Sequence, residues 1–64
     1  MFIELNDKQG SIINLSMVAS MHFNDKYKRI EVLYHGMKYS DHFEYDTTAM
    51  MFNDKHRIKN ELQI

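Results

Sequence analysis

The residues that first suggest metal chemistry are the four histidines of this 64-residue chain, His22, His35, His42 and His56. Their spacing does not support a site, because no two are four residues apart on a helix and there is no cysteine. Asp41 and Glu44 lie close to His42 in sequence, but alternation along a strand sends Asp41 to the opposite face. We therefore expect a solvated strand edge here, with no metal and no cofactor.

Asp41 is the most unusual single candidate for binding. If His35-Gly36 forms a two-residue hairpin turn, Asp41 faces Ile30 and lies among apolar neighbours. The simpler interpretation is that this carboxylate reaches solvent where its strand ends. The alternative is that Asp41, or Arg29, fixes a polar ligand in a pocket between subunits.

Catalytic motifs are absent from the sequence. The serines form no Gly-x-Ser-x-Gly elbow, and Gly10 and Gly36 are too few and too isolated for a phosphate-binding loop. A chain this short also has difficulty holding a preorganised catalytic site. The sequence therefore predicts a protein that is not an enzyme.

Aromatic residues are concentrated between positions 27 and 45, with basic residues interleaved. Nucleic-acid bases could stack there, but nearby acidic residues offset the positive charge, so nucleic acid is an unlikely partner. Tyrosine enrichment is equally typical of protein interfaces, and the same rings could simply form a core. We take as predicted contact residues Tyr27, Arg29, Tyr34, Tyr39, Asp41 and His42.

Composition limits the remaining function classes. The net charge is −1, with eight basic and nine acidic residues, so no charged stripe indicates nucleic acid. No apolar run approaches the roughly 20 residues of a membrane span, and the N-terminus lacks a signal-peptide pattern. The expected location is the cytoplasm. A single domain covering 1–64, without disulfides and with six methionines, has a small and deformable core, so we expect a homo-oligomer.

The tripeptide Asn-Asp-Lys occurs three times, at 6–8, 24–26 and 53–55, and predicts turns at the first two copies. Strands are expected over 1–5 and 11–15 from their alternation. The clearest element is a central hairpin over 27–45. A two-residue turn in it would place Val32 opposite Tyr39 and Ile30 opposite Asp41.

The C-terminal segment has two interpretations. Asp46 is a good N-cap, and a helix from Asp46 through Asn60 would align Met51 with Ile58 on one stripe. The rival is a strand, because Ile58, Leu62 and Ile64 alternate with polar residues. We favour an α+β fold, a small antiparallel sheet of three or four strands with a C-terminal helix; the alternative is all-β.

Along the chain the expected elements are a strand, a turn with Gly10, Ile13-Asn14, a short apolar segment from Leu15 to Met21, a hairpin and a terminal helix. This order resembles that of the FlbD/SwrD family of small flagellar proteins. His35-Gly36 stands where that family has an Asn-Gly-like turn, and the tail lacks the family's Glu-rich helix start. The resemblance implies a small motility accessory protein that acts through protein contacts.

The predicted function is a protein-interaction module that regulates or inhibits a larger protein. Small size without catalytic motifs is also typical of phage-encoded inhibitors of host proteins. The alternatives are an oligomeric small-ligand binder, or sponge, and the motility accessory role that the resemblance implies.

Overall fold

In the computed structural model, residues 1–62 are described, and they form an α+β fold. The elements are five strands, a short 3-10 helix and one α-helix: β1 (Phe2–Glu4), β2 (Ile12–Asn14), the 3-10 helix (Leu15–Met17), β3 (Val18–Asn24), β4 (Arg29–Tyr34), β5 (Asp41–Glu44) and α1 (Thr48–Leu62). Strands β1 and β2 form one antiparallel sheet, and β3, β4 and β5 form a second with β4 in the centre. The predicted fold class, with a C-terminal helix, is confirmed.

The two-stranded sheet pairs Ile3 with Ile13, and both side chains are buried. The first Asn-Asp-Lys copy makes the connecting turn, as predicted. The carboxylate of Asp7 accepts hydrogen bonds from the backbone N–H and hydroxyl of Ser11, at 2.7 and 2.8 Å. Gly10 has a φ of +63°, which costs glycine little because it has no Cβ.

The second copy also makes a turn, between β3 and β4. The side-chain oxygen of Asn24 accepts a hydrogen bond from the N–H of Tyr27 at 3.3 Å. Lys28 then adopts a left-handed φ of +52° before β4 begins. Two of the three copies therefore act as the turn chemistry of Asn and Asp predicts.

The predicted register of the central hairpin is wrong. Val32 pairs with Asp41, and Ile30 pairs with Phe43, so the connection is the loop 35–40 and not the two-residue turn. The physical reason is burial: the observed register places the ring of Phe43 against the core beside Ile30. Asp41 is exposed at the start of its strand, where it pairs with Val32.

The helix differs from its predicted bounds by two residues at each end. It begins at Thr48, because Thr47 rather than Asp46 is the N-cap: the Thr47 hydroxyl accepts a hydrogen bond from the N–H of Met50 at 3.1 Å. It continues past Asn60 to Leu62. The rival strand is not formed over 53–62, and its last residues, 63 and 64, lie outside the described residues.

Thr47→Ala is expected to destabilise the protein by about 1 kcal/mol, because the first turn of α1 loses its side-chain acceptor. Thr48→Ala, one residue inside the helix, is the matched control and should leave stability within about 0.5 kcal/mol, since Thr47 still caps the helix. Urea unfolding of both variants measures the difference. Equal midpoints for the two variants would contradict the capping role.

One core joins both sheets and the helix. Met51 and Ile58 on α1 cover the sheet face, as the predicted stripe requires. One backbone hydrogen bond joins the β1–β2 turn to the edge of the three-stranded sheet, from Lys8 N–H to Glu44 C=O at 2.8 Å. The buried apolar residues are Ile3, Leu5, Ile13, Leu15, Ile30, Val32, Tyr45, Met51 and Ile58.

Candidate protein-interaction surface

Four large apolar side chains lie together on the protein surface, and we call them the apolar patch: Phe2, Ile12, Met17 and Met37. Each exposes between 49% and 74% of its surface to solvent. Together with Tyr34 they line an open depression of about 460 Å³. They come from β1, β2, the 3-10 helix and the loop 35–40, so the patch exists only when the chain is folded.

The sheet pairing explains why Phe2 and Ile12 face outward. Ile3 and Ile13 point into the core, and successive side chains of a strand point to opposite faces. Their apolar neighbours Phe2 and Ile12 must therefore lie on the outer face of the two-stranded sheet. Two short strands thus place apolar side chains on both of their faces.

Met17 and Met37 complete the patch from segments next to the three-stranded sheet. Met17 ends the 3-10 helix, and Met37 lies in the loop 35–40. The hydrogen bond from His35 N–H to Met17 C=O, at 2.9 Å, holds the two segments side by side. Methionine is flexible and polarizable, so this part of the patch can adapt its shape to a bound surface.

Tyr34 forms the half-buried wall of the depression. Burial, followed by the nearby negative charge of Asp41, raises the pKa of the Tyr34 hydroxyl above its usual value of about 10. The group is therefore neutral across the physiological pH range. It can donate one hydrogen bond to a bound molecule beside the apolar side chains.

The predicted contact residues divide between the two faces of the three-stranded sheet. Tyr34 and Asp41 share the core-facing side, because Asp41 pairs directly with buried Val32. Arg29 and His42 lie on the opposite face, where His42 pairs with Glu31. The structure therefore does not bring these predicted residues to one place.

Tyr27 and Arg29 lie together near the β3–β4 turn, with the Arg29 guanidinium carbon 5.0 Å from the Tyr27 ring centre. Arg29 also forms an ion pair with Glu31 at 2.7 Å. The hydrogen bond from Arg29 holds the pKa of Glu31 below its ordinary value. Arg29 is thus already held by two partners within its own sheet.

Tyr39, another predicted contact residue, is two residues from Met37 of the apolar patch in sequence. It lies in the same loop as Met37 and exposes 83% of its surface. A side chain so exposed contributes nothing to the core. It extends the aromatic and apolar surface that the loop 35–40 presents to solvent.

Sequence reasoning missed Phe2, Ile12, Met17 and Met37 as surface residues. A signal was available for two of them. The runs Met1-Phe2-Ile3 and Ile12-Ile13 place apolar residues at consecutive positions of short strands, so one face had to remain outside the core. For Met17 and Met37 the sequence carries no comparable signal, because their exposure depends on the 3-10 helix and the loop.

A polar cluster surrounds Asp54 of the third Asn-Asp-Lys copy, whose side chain on α1 is fully buried. Its carboxylate accepts hydrogen bonds from the Asn6 N–H at 2.6 Å, the Tyr45 hydroxyl at 2.6 Å and the Arg57 guanidinium at 2.7 Å. The side-chain amide of Asn6 donates a fourth bond at 3.2 Å. These bonds tie the first and third copies together, so we assign the cluster a structural role.

Comparisons of this chain with protein-family models, curated proteins and solved structures found no match. In residues 1–62, no helix is long and apolar enough to cross a bilayer. Within that same range, no three histidine or carboxylate side chains converge as metal ligands. The geometry of the apolar patch is therefore the main structural guide to function.

Proposed function

We propose that this protein is a non-enzymatic interaction module that binds a larger protein and regulates or inhibits it. The observation that carries the proposal is the apolar patch. Water contact with four large apolar side chains is unfavourable, and a partner protein that covers them removes that cost. The cysteine-free composition fits action in the cytoplasm.

The patch has the arrangement of a protein-binding surface. Aromatic and methionine side chains are enriched at the centres of such surfaces, with polar groups at the rim. Here Phe2 and the two methionines supply the apolar centre, while Tyr34 supplies a hydroxyl beside it. Burial of one such apolar side chain contributes about 2 kcal/mol to binding.

The small-ligand alternative is less well supported. It relies on Asp41 or Arg29 to fix a polar ligand, but these residues lie on opposite faces of the sheet. The Arg29 guanidinium already pairs with Glu31. A motility accessory role or a phage-encoded inhibitor, by contrast, would use the same apolar patch.

The test is a pull-down from the native host with the wild-type protein and with Phe2→Ser/Met37→Ser. We expect the wild type to retain one stoichiometric partner that the double variant loses. With the purified partner, each single substitution should weaken binding by about 30-fold, which corresponds to about 2 kcal/mol. Both side chains are exposed, so thermal stability should change little.

Tyr27→Ser is the matched control, because Tyr27 is as exposed as the patch residues but lies at the β3–β4 turn. It should bind the partner as the wild type does. A double variant that binds with unchanged affinity would refute the proposed surface. A partner lost only in Tyr27→Ser would move the binding site to the face that carries Arg29.

A further inference from the structure

Strand β3 lies at an open edge of the three-stranded sheet, since β4 is its only neighbour among the described strands. Edge strands expose unpaired backbone groups, and natural proteins usually protect them with charged residues or proline. The sequence of β3, Val-Ala-Ser-Met-His-Phe-Asn, contains neither. A bulge at Ala19 interrupts only its first part, which leaves Ser20–Asn24 as a regular edge.

An apolar groove runs beside this edge, between β3 and α1, with a volume of about 390 Å³. Met21 and Phe23 reach it from the strand, and Ile58 and Leu62 reach it from the helix. A strand added next to β3 would hydrogen-bond to the edge, and its alternate side chains would enter the groove. Edge and groove thus form a single site for an extended strand.

We propose that the occupant is β3 of a second copy of this chain, paired antiparallel across a two-fold axis. Such an axis lies midway between one residue and the same residue of the second copy, and His22 is the centre of the regular segment. Met21 then lies opposite the partner's Phe23, and both apolar side chains face the grooves. The two sheets join into one of six strands, which removes both β3 edges.

Charge complementarity selects this self-pairing. In an antiparallel pair, the C-terminal end of one strand lies beside the N-terminal end of the other. Asp25 follows the C-terminal end of β3 and is exposed. Lys55 lies 5.2 Å from the Phe23 ring near that end of the strand, and Lys59, one helical turn further along α1, lines the groove. Continued one position past each end of Ser20–Asn24, the register centred on His22 brings the partner's Asp25 to the bulge at Ala19, on the side of the groove towards which Lys59 lies. The dimer therefore contains this ion pair twice.

The dimer uses a different surface from the proposed function and does not depend on it. The apolar patch is formed by β1, β2, the 3-10 helix and the loop 35–40. The edge of β3 and the groove share none of its four residues. Phe2→Ser/Met37→Ser should therefore leave self-association unchanged, whatever its effect on another partner.

The test is sedimentation equilibrium of the untagged protein and of two charge reversals, Lys59→Asp and Asp25→Lys. The wild type should be a dimer in the micromolar range. Each reversal places two like-charged pairs in the dimer and should raise its dissociation constant by about tenfold. Lys38→Asp, the same charge change in the distant loop 35–40, is the matched control and should dimerise as the wild type does.

Mixing the two reversals provides the decisive measurement. A heterodimer of Lys59→Asp with Asp25→Lys pairs opposite charges at both contacts, so the mixture should recover the wild-type dissociation constant. Circular dichroism establishes that each variant is folded, and Asp25→Lys changes only an exposed side chain. A monomeric wild type, reversals without effect, or a mixture no tighter than its components would each overturn the proposal.

Discussion

Asp54→Asn is expected to lower the unfolding free energy of this protein by about 2–3 kcal/mol at 25 °C. The substitution keeps the size of the side chain and removes the charge that four donors share. Leaving buried donors without an acceptor costs about 1–3 kcal/mol, and the Arg57 side chain is 42% exposed, so water replaces part of its lost ion pair. A chain of this length has a total unfolding free energy of only about 3–10 kcal/mol.

The geometry explains why asparagine cannot replace the carboxylate. In Asp54, one oxygen accepts from the Asn6 N–H and the Tyr45 hydroxyl, and the other accepts from Arg57 and the Asn6 amide. An asparagine keeps one of these acceptors and turns the other into an N–H₂ donor. That donor would face donors in a fully buried site, and the Arg57 guanidinium would lose its counter-charge.

The measurement is urea unfolding followed by circular dichroism. Asp25→Asn is the control, because it makes the same chemical change at the same position of another Asn-Asp-Lys copy. Its side chain is exposed, so stability in dilute solution should change by less than about 0.5 kcal/mol. If Asp54→Asn lowers the unfolding free energy by less than about 1 kcal/mol, the Asp54 hydrogen bonds do not hold the helix to the first turn.

The contrast between the three Asn-Asp-Lys copies shows what sequence reasoning could and could not reach. Turns at the first two copies follow from local chemistry, because Asn and Asp bond to backbone groups nearby. The third copy is helical, and its aspartate bonds to Asn6, which is 48 residues away. No local pattern contains that contact, since it forms only when α1 packs beneath the first turn.

The same limit applies to register and surface. Alternation in β4 identified the strand correctly. Its pairing with β5 depends on the length of the loop 35–40, and alternation alone does not reveal that length. In β1 and β2, three-residue strands offer two apolar faces, and only the assembled core decides that Ile3 faces inward and Phe2 outward. The adjacent apolar residues of β1 and β2 therefore signal an exposed apolar face, but the complete patch is a consequence of tertiary packing.

Tyr45→Phe is expected to destabilise the protein by about 2 kcal/mol at pH 7, and the difference from the wild type should shrink above about pH 10. The hydroxyl of Tyr45 donates to the buried Asp54 carboxylate, and a hydrogen bond to a charged group contributes about 1.5–3 kcal/mol. Burial, reinforced by that bond, raises the pKa of Tyr45 far above its ordinary value.

The direction of the pH effect follows from this raised pKa. In the unfolded chain Tyr45 loses its proton above about pH 10, whereas in the folded protein it keeps the proton. Its contribution to stability is therefore complete below pH 10 and declines as the pH rises, by about 1.4 kcal/mol for each further unit. Phenylalanine has no proton to lose, so the variant lacks this decline.

Unfolding free energies of the two proteins, measured by urea titration between neutral pH and about pH 11, isolate the effect of Tyr45. All other ionisable groups are present in both proteins, so their effects cancel in the difference. Tyr39→Phe is the control: its hydroxyl is on an exposed side chain, so its difference from the wild type should stay near zero throughout. A Tyr45→Phe difference that stays constant from pH 7 to the alkaline limit would mean that Tyr45 ionises as readily in the folded protein as in the unfolded chain.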